Sequence, residues 1–188
     1  KAYDDIQANS DMWRWLHGEF EGATISNVVR YESTGFGIAS RFAHWVGLNS
    51  TSWSIYDTAT GKDGEVCLSY VPWDNFYTRL TKGEVATGIP TTFSIDPQNK
   101  VALYPTPDKA YKVRGRHYKD NQSLTGDADV PEMPARFHDA IKWRALVLLA
   151  TFDESFAQIQ NWDAFYQPRL SALRHDQLPR ISIPGPLV

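Results

Sequence analysis

The chain has one cysteine, two methionines and no apolar run near the roughly 20 residues that a membrane-spanning helix needs. A single cysteine excludes an intramolecular disulfide framework and a multi-cysteine zinc site, and it does not call for an oxidising compartment. Alternation along "EVCLSYV" puts Cys67 on one face with Ser69 and Val71, where a small buried thiol is expected. Neither sign of charge dominates: 19 Lys and Arg against 22 Asp and Glu leave a net charge of -3. That excludes a protein gripping nucleic-acid phosphate over its whole surface and leaves room for a local basic patch. Phosphate-binding loops are missing, since "TGFGIAS" lacks both the third glycine at the right spacing and the lysine of a P-loop. His17, His44, His117, His138 and His175 include no i, i+4 pair of metal ligands. Asp57, Asp63 and Glu65 in "DTATGKDGE" lack the spacing of an EF-hand and its bidentate Glu, so they read as a hairpin turn. His138 and Asp139 are neighbours on a helix and point apart, which is poor geometry for acid–base work. No catalytic, cofactor or metal site is expected. The polar start "KAYDDIQANS" does not read as a signal peptide.

What is present is enough apolar material for a core, 42% of 188 residues, in one domain or two small ones. The expected fold class is α+β, in four stretches. Residues 1–25 form an N-terminal helical segment, with Ile6, Met12, Trp13 and Leu16 on one side and Gly18 at its end. Residues 26–120 form an antiparallel β-domain of short strands rich in β-branched and aromatic residues: "NVVRYES", "STSWSIYD", "GEVCLSYV", "PTTFSID", "KVALYP" and "AYKVRGRHY". Gly61 and Gly64 supply positive φ for one loop, and Pro97 and Asn99 make the next turn. Residues 121–176 form a C-terminal helical hairpin that packs with the N-terminal helix. Pro134 opens it, and Phe137, Ala140, Ile141, Ala145, Leu148, Leu149 and Phe152 recur at helical spacing. Trp143, Leu146 and Val147 lie off that stripe, so the helix is apolar on most sides and is expected to be covered twice. Asp153 caps a second helix with Ile159, Trp162, Tyr166, Leu170 and Leu173 on one stripe, which Pro168 should kink or interrupt. Residues 177–188, with Pro179, Pro184 and Pro186, form an extended tail.

Two features suit binding. In a strand, Lys112, Arg114 and Arg116 fall on one face, and Tyr111, Val113, Gly115 and His117 on the other. The basic face is either the solvated outside of a sheet or a surface that meets an acidic partner, whether a neighbouring subunit or a nucleic-acid backbone. Seven tryptophans are more than so small a core obviously needs, and aromatics also enrich interfaces. A carbohydrate- or surface-binding β module would use Trp45, Trp53 and Trp73 as a stacking platform.

The order "GIPTTFSID", "KVALYPTPDKAYKVRGRHYKD", "SLTGDADVPEMPARFHDAIKWRALVLLA" resembles the head-to-tail adaptor (connector, or head completion) proteins of tailed bacteriophages over roughly residues 70–165. Gly88 and Pro90 stand for the family's Gly-x-Pro turn. Tyr104, Pro105, Pro107 and Asp108 end a strand, and Tyr111 and Tyr118 mark the Tyr-rich strand. Leu124, Asp127, Asp129 and Pro131 form the loop before the helix, which Pro134, His138, Ala140 and Ile141 open. "VPWDNFYTRL" is similar to the family's Trp-x-x-Phe segment. The resemblance implies a non-enzymatic virion protein: a homo-oligomeric ring, a dodecamer, beneath the portal protein, assembled in the bacterial host cytoplasm. Its other partners are tail or nozzle proteins and the genomic double-stranded DNA, which passes through the lumen without sequence-specific binding. Such a ring needs two different patches per subunit that close on each other. The candidates are the helix face around Trp143 and Val147 and the basic strand of Lys112, Arg114 and Arg116. The tail, Leu178, Pro179, Ile181, Ile183, Pro184 and Pro186 included, is expected to be a docking arm ordered against its partner. No cofactor and no membrane contact are implied.

Overall fold

Alternating and β-branched runs become strands where one face finds cover. The computed structural model, which describes residues 1–10, 12–47, 52–79 and 86–178, shows such cover between Gly18 and Asp120. Among the described residues nine strands follow one another in chain order: β1 (His17–Ala23), β2 (Arg30–Tyr31), β3 (Phe42–Val46), β4 (Ser54–Asp57), β5 (Val66–Cys67), β6 (Ser69–Tyr70), β7 (Thr92–Ile95), β8 (Val101–Tyr104) and β9 (Tyr111–Lys119). One sheet runs β1-β9-β4-β5, with β3 also paired to β9; the other runs β2-β8-β7-β6. β9 is the spine of the first sheet: β4 lies antiparallel along Tyr111–Arg114 and β3 along Arg116–Lys119. The two sheets share one core. Phe20, Trp45, Trp53, Ile55 and Val113 come from the side of the first, and Tyr31, Phe93, Val101 and Leu103 from the second.

This core is unusually aromatic in its contacts. Trp53 is wholly buried, stacks on Phe93 at 4.6 Å and meets Phe20 and Trp45 edge-on at 5.0 and 5.3 Å. Its indole N–H donates to the Val46 carbonyl at 2.9 Å, which removes the cost of burying it. The turn before β8 fastens one sheet to the other. Asp96 Oδ1 accepts from the amides of Gln98 and Lys100, and Asn99 takes φ 63, a conformation Asn tolerates. Asn99 then donates from its side chain to the Ala43 carbonyl, while its own carbonyl accepts from the Trp45 indole.

Several expectations for this unit change. "GEVCLSYV" is two strands in two sheets, since β5 pairs with β4 while β6 pairs with β7. The change of sheet happens at Leu68, which is fully buried and whose amide donates to the Trp53 carbonyl. β6 and β7 run parallel, so the sheets are not purely antiparallel. Cys67, at the sheet edge, is exposed rather than buried, because the strand ends before its face is covered. Of the two loop glycines only Gly61 has positive φ. A short helix not anticipated from the sequence, α2 (Trp73–Arg79), follows β6; Phe76 is its buried anchor.

Gly18 lies inside β1 rather than at a helix end. A Cβ there would stand 2.4 Å from His117 Cε1, so the glycine is what lets this imidazole fit. His117 is buried, and its Nδ1 has no hydrogen-bond partner among the described residues. Burial, then the nearby Lys119 charge, pushes its pKa below the ordinary imidazole value. The sign follows. The folded state disfavours the proton, so this contribution to stability is complete above the unfolded pKa and is lost as pH falls toward the folded one. We expect chemical-denaturation stability to fall between about pH 7 and pH 5, and His117→Phe to flatten that slope. An unchanged slope would remove His117 as its source.

The second unit combines Lys1–His17 with the chain from Asn121 onward. Its helices are α1 (Ala2–Gln7), α3 (Asp139–Phe152) and α4 (Phe156–Gln177). α1 is shorter than expected: a 3-10 turn, Arg14–Leu16, follows it, and β1 begins at His17. Trp13 explains the break, for its buried ring stacks on Trp15 at 4.6 Å and its N–H donates to the Gln7 carbonyl. Gln7, itself buried, pairs both ways with Gln122: Nε2 donates to its carbonyl at 2.9 Å, and Oε1 accepts from its amide at 2.8 Å. A buried amide so satisfied fixes α1 against the 121–134 loop. In that loop Asp129 Oδ2 accepts from the amides of Gly126 and Thr125, which lowers its pKa.

α3 and α4 are antiparallel neighbours, since Asp139 meets Arg169 and Trp143 meets Phe165. Ala140, Val147 and Ala150 are the buried side of α3; Tyr166, Leu170 and Leu173 that of α4. Asp153 closes α3 instead of capping α4, whose N-cap position is Ser155. α4 runs through Pro168 without interruption. Pro168 and Ala164 are both exposed, so the carbonyl that loses its amide partner is left to water.

Candidate assembly surfaces

Strand alternation places Tyr111, Val113, Gly115 and His117 inward on β9 and leaves Lys112, Arg114 and Arg116 at the outer face. Two of the three cations are already matched by acids on their own chain. Arg114 Nη1 lies 3.2 Å from Glu65 Oε1 and its Nε 3.5 Å from Glu21, while Arg116 lies 3.5 Å from Glu19. The Ser54 hydroxyl and then the Arg114 charge hold the Glu65 carboxyl below its usual range. Exposed pairs of this kind contribute little to stability. They do cancel field, so the face presents mixed charge, not a basic stripe. Lys112 has no acidic partner among the described residues and is the one cation of the three left uncommitted.

Two of the three acids of the "DTATGKDGE" hairpin are committed in the same way, Glu65 to Arg114 and Asp57 to Lys109 and the Ala59 amide. Among the described residues no cluster of three or more His, Cys, Asp or Glu side chains is placed to hold a metal ion, and no helix is long and apolar enough to cross a membrane. A groove of about 430 Å³ between Glu19, Phe20, Phe36, Ser40 and His117 is wide open and mostly polar.

The tryptophan platform is absent. Trp45 and Trp53 are core residues, 4% and 0% exposed, and neither can stack on a sugar. Trp73 is half-buried, and the Arg30 guanidinium covers its ring at 5.0 Å.

On the helical unit, Val147 is buried against its own chain and does not lie on an outer face. Trp143 is half-buried and enclosed by its neighbours: Phe165 stacks on it at 4.7 Å, and Arg169 and Lys142 sit over the ring at 5.3 and 5.2 Å. Its N–H donates to Asp139, which also accepts from Arg169, and the two together lower the Asp139 pKa. Besides Phe165 on that stack, the exposed large apolar side chains of these two helices are Leu149 and Phe152 at the end of α3 and Phe156 at the start of α4. Helical spacing had put Leu149 and Phe152 on the stripe with Ala140. The signal that sets them apart is the "DES" break that follows, because α3 ends before anything covers its last turn. Leu178 closes α4 in an extended conformation; Pro179, Ile181, Ile183, Pro184 and Pro186 lie outside the described residues.

The family model described as SU10 adaptor protein matches residues 48–187. No curated protein matches the chain.

Proposed function

Because the chain belongs to the SU10 adaptor protein family, and is therefore a bacteriophage adaptor and a component of the virion, we propose that it is the head-to-tail connector. In this reading copies close into a ring of twelve beneath the portal protein, join the capsid to tail or nozzle proteins, and leave a channel for the double-stranded DNA. The observation that carries the reading is the match itself, which spans most of the chain and takes in both units. A structural role also suits a molecule whose charged side chains are largely spent on internal pairs. The net charge of -3 fits a lumen that has to release DNA and not hold it. The residues from Leu178 on, with their three prolines, serve as the docking arm for a partner. Assembly takes place in the host cytoplasm.

A ring built from one chain needs two unlike patches that meet head to tail. The outer face of β9 supplies one of them through Lys112, the cation without an acid of its own. Lys112→Glu is therefore expected to weaken ring formation with no change in the monomer's thermal unfolding. Adding Arg114→Glu should deepen the loss, although it also sets a third carboxylate beside Glu21 and Glu65. Assembly of Lys112→Glu at wild-type concentration would assign the face to solvent.

The reading is tested by electron microscopy of the protein alone and mixed with portal assemblies, counting rotational symmetry in end-on views. Rings, or an added layer on the portal, are expected. Isolated small particles under both conditions would overturn the connector reading.

A further inference from the structure

Single exposed aromatics are ordinary on protein surfaces, but several crowded onto one turn are not. Phe152 is 86% exposed and Phe156 75%, and they flank the three residues that join α3 to α4. Leu149, 51% exposed, lies one turn back from Phe152 on the same side of α3. Among the described residues neither Phe touches another ring or a cation, whereas the Trp143–Phe165 stack on the same helices has Arg169 and Lys142 above it. The turn is closed by its own backbone: the Ser155 amide donates to the Ala150 carbonyl at 2.9 Å, and Glu154 takes φ 55. Both rings are thus presented from a short, hydrogen-bonded support.

The same turn is acidic. Asp153 and Glu154 are exposed between the two rings, with no cation on either among the described residues. Carboxylates so placed repel phosphate, which argues against nucleic acid and anionic lipid as the occupant. They call for a pocket with a positive rim. Among the described residues most cations are taken, Arg136 by Asp176, Arg144 by Asp5, Arg169 by Asp139, Lys100 by Glu32 and Lys109 by Asp57, and the uncommitted Lys112 stands on the mixed-charge outer face of β9. A second copy is therefore a poor source of that rim.

We propose that residues 152–156 are a docking tip whose Phe152 and Phe156 enter an apolar pocket, rimmed by Lys or Arg, on a protein other than this one. The inference rests on the adaptor reading in one respect: the pocket belongs to another component of the same particle. Aromatic anchors with a charged surround are the usual centre of such contacts.

The test is Phe152→p-benzoylphenylalanine, a near-isosteric change, in the full chain assembled into phage particles, followed by irradiation and mass-spectrometric mapping of the adduct. The expected result is a single adduct on a different virion protein, in a stretch that carries apolar residues together with Lys or Arg. Asp153→Lys with Glu154→Lys should cut the adduct yield at least tenfold, and Phe156→Ser should do the same, with thermal unfolding of the free protein unchanged. An adduct on another copy of this chain would overturn the proposal, as would a yield indifferent to the charge reversal. Particles that contain the chain but give no adduct at 152 sink the tip alone; particles that lack the chain sink the adaptor reading and the tip with it.

Discussion

Trp53→Ala is expected to destabilise the β unit by about 3–5 kcal/mol, the usual range for deleting a large buried aromatic. The residue has no exposed surface, stacks on Phe93 and meets Phe20 and Trp45 edge-on, so removing it opens a void that three other rings line. Those rings are tied from both sheets and cannot collapse into the space without shifting strands. The Val46 carbonyl also loses its donor. For a chain of this size the midpoint of thermal unfolding should fall by on the order of 10 °C. Trp53→Phe keeps the stacking partner and should lose much less. A Trp53→Ala protein with an unchanged midpoint would mean that the ring is not where the core has it, and would reopen the surface role that the sequence alone allowed.

Gly22→Val is the second large effect. A Cβ on Gly22 would stand 2.6 Å from the Phe36 Cα, a backbone atom that cannot swing aside as a side-chain end does. Phe36 is itself held between Phe20 and Tyr31 at 5.1 and 5.2 Å. Relief therefore needs the 3-10 turn Ser33–Phe36 to move off β1, exposing rings on both sides. Overpacking commonly costs about 1–3 kcal/mol, and this site belongs at the top of that range or above it. Gly35→Ala is the control, because the nearest atom to its Cβ is a ring carbon of Tyr31 at 3.9 Å, an ordinary contact. It should fall within about 0.5 kcal/mol of wild type. Urea unfolding followed by tryptophan fluorescence compares the two, and equal midpoints would refute the close approach of the turn to β1.

The α+β class, the turn at Asn99 and the inward and outward faces of β9 were legible because each rests on chemistry within a few residues. A period of two along "AYKVRGRHYK" needs nothing beyond the strand itself. The split of "GEVCLSYV" was not legible. Leu68 leaves one sheet for the other because Trp53 and Phe93 are there to receive it, and both are distant in sequence. Cys67 followed the same error, since its exposure depends on which sheet ends beside it. Composition could count the tryptophans without saying that Trp45 and Trp53 face each other indoors. The helical stripe on α3 predicted a covered surface to Phe152, but coverage stops where α4 turns back, and periodicity does not record where a neighbour ends. The matching of Arg114 and Arg116 by Glu65, Glu21 and Glu19 depends on strand order in the same way.

The crossing at Leu68 has a mechanical side. The two sheets are joined there by a single residue of covalent chain, by the Leu68 amide on the Trp53 carbonyl, and, farther along, by Asn99 bonded to Ala43 and Trp45. A force that slides one sheet over the other acts on all of these links. The sandwich is stitched against shear, and in the connector role proposed above that is what would let each subunit carry load without creeping.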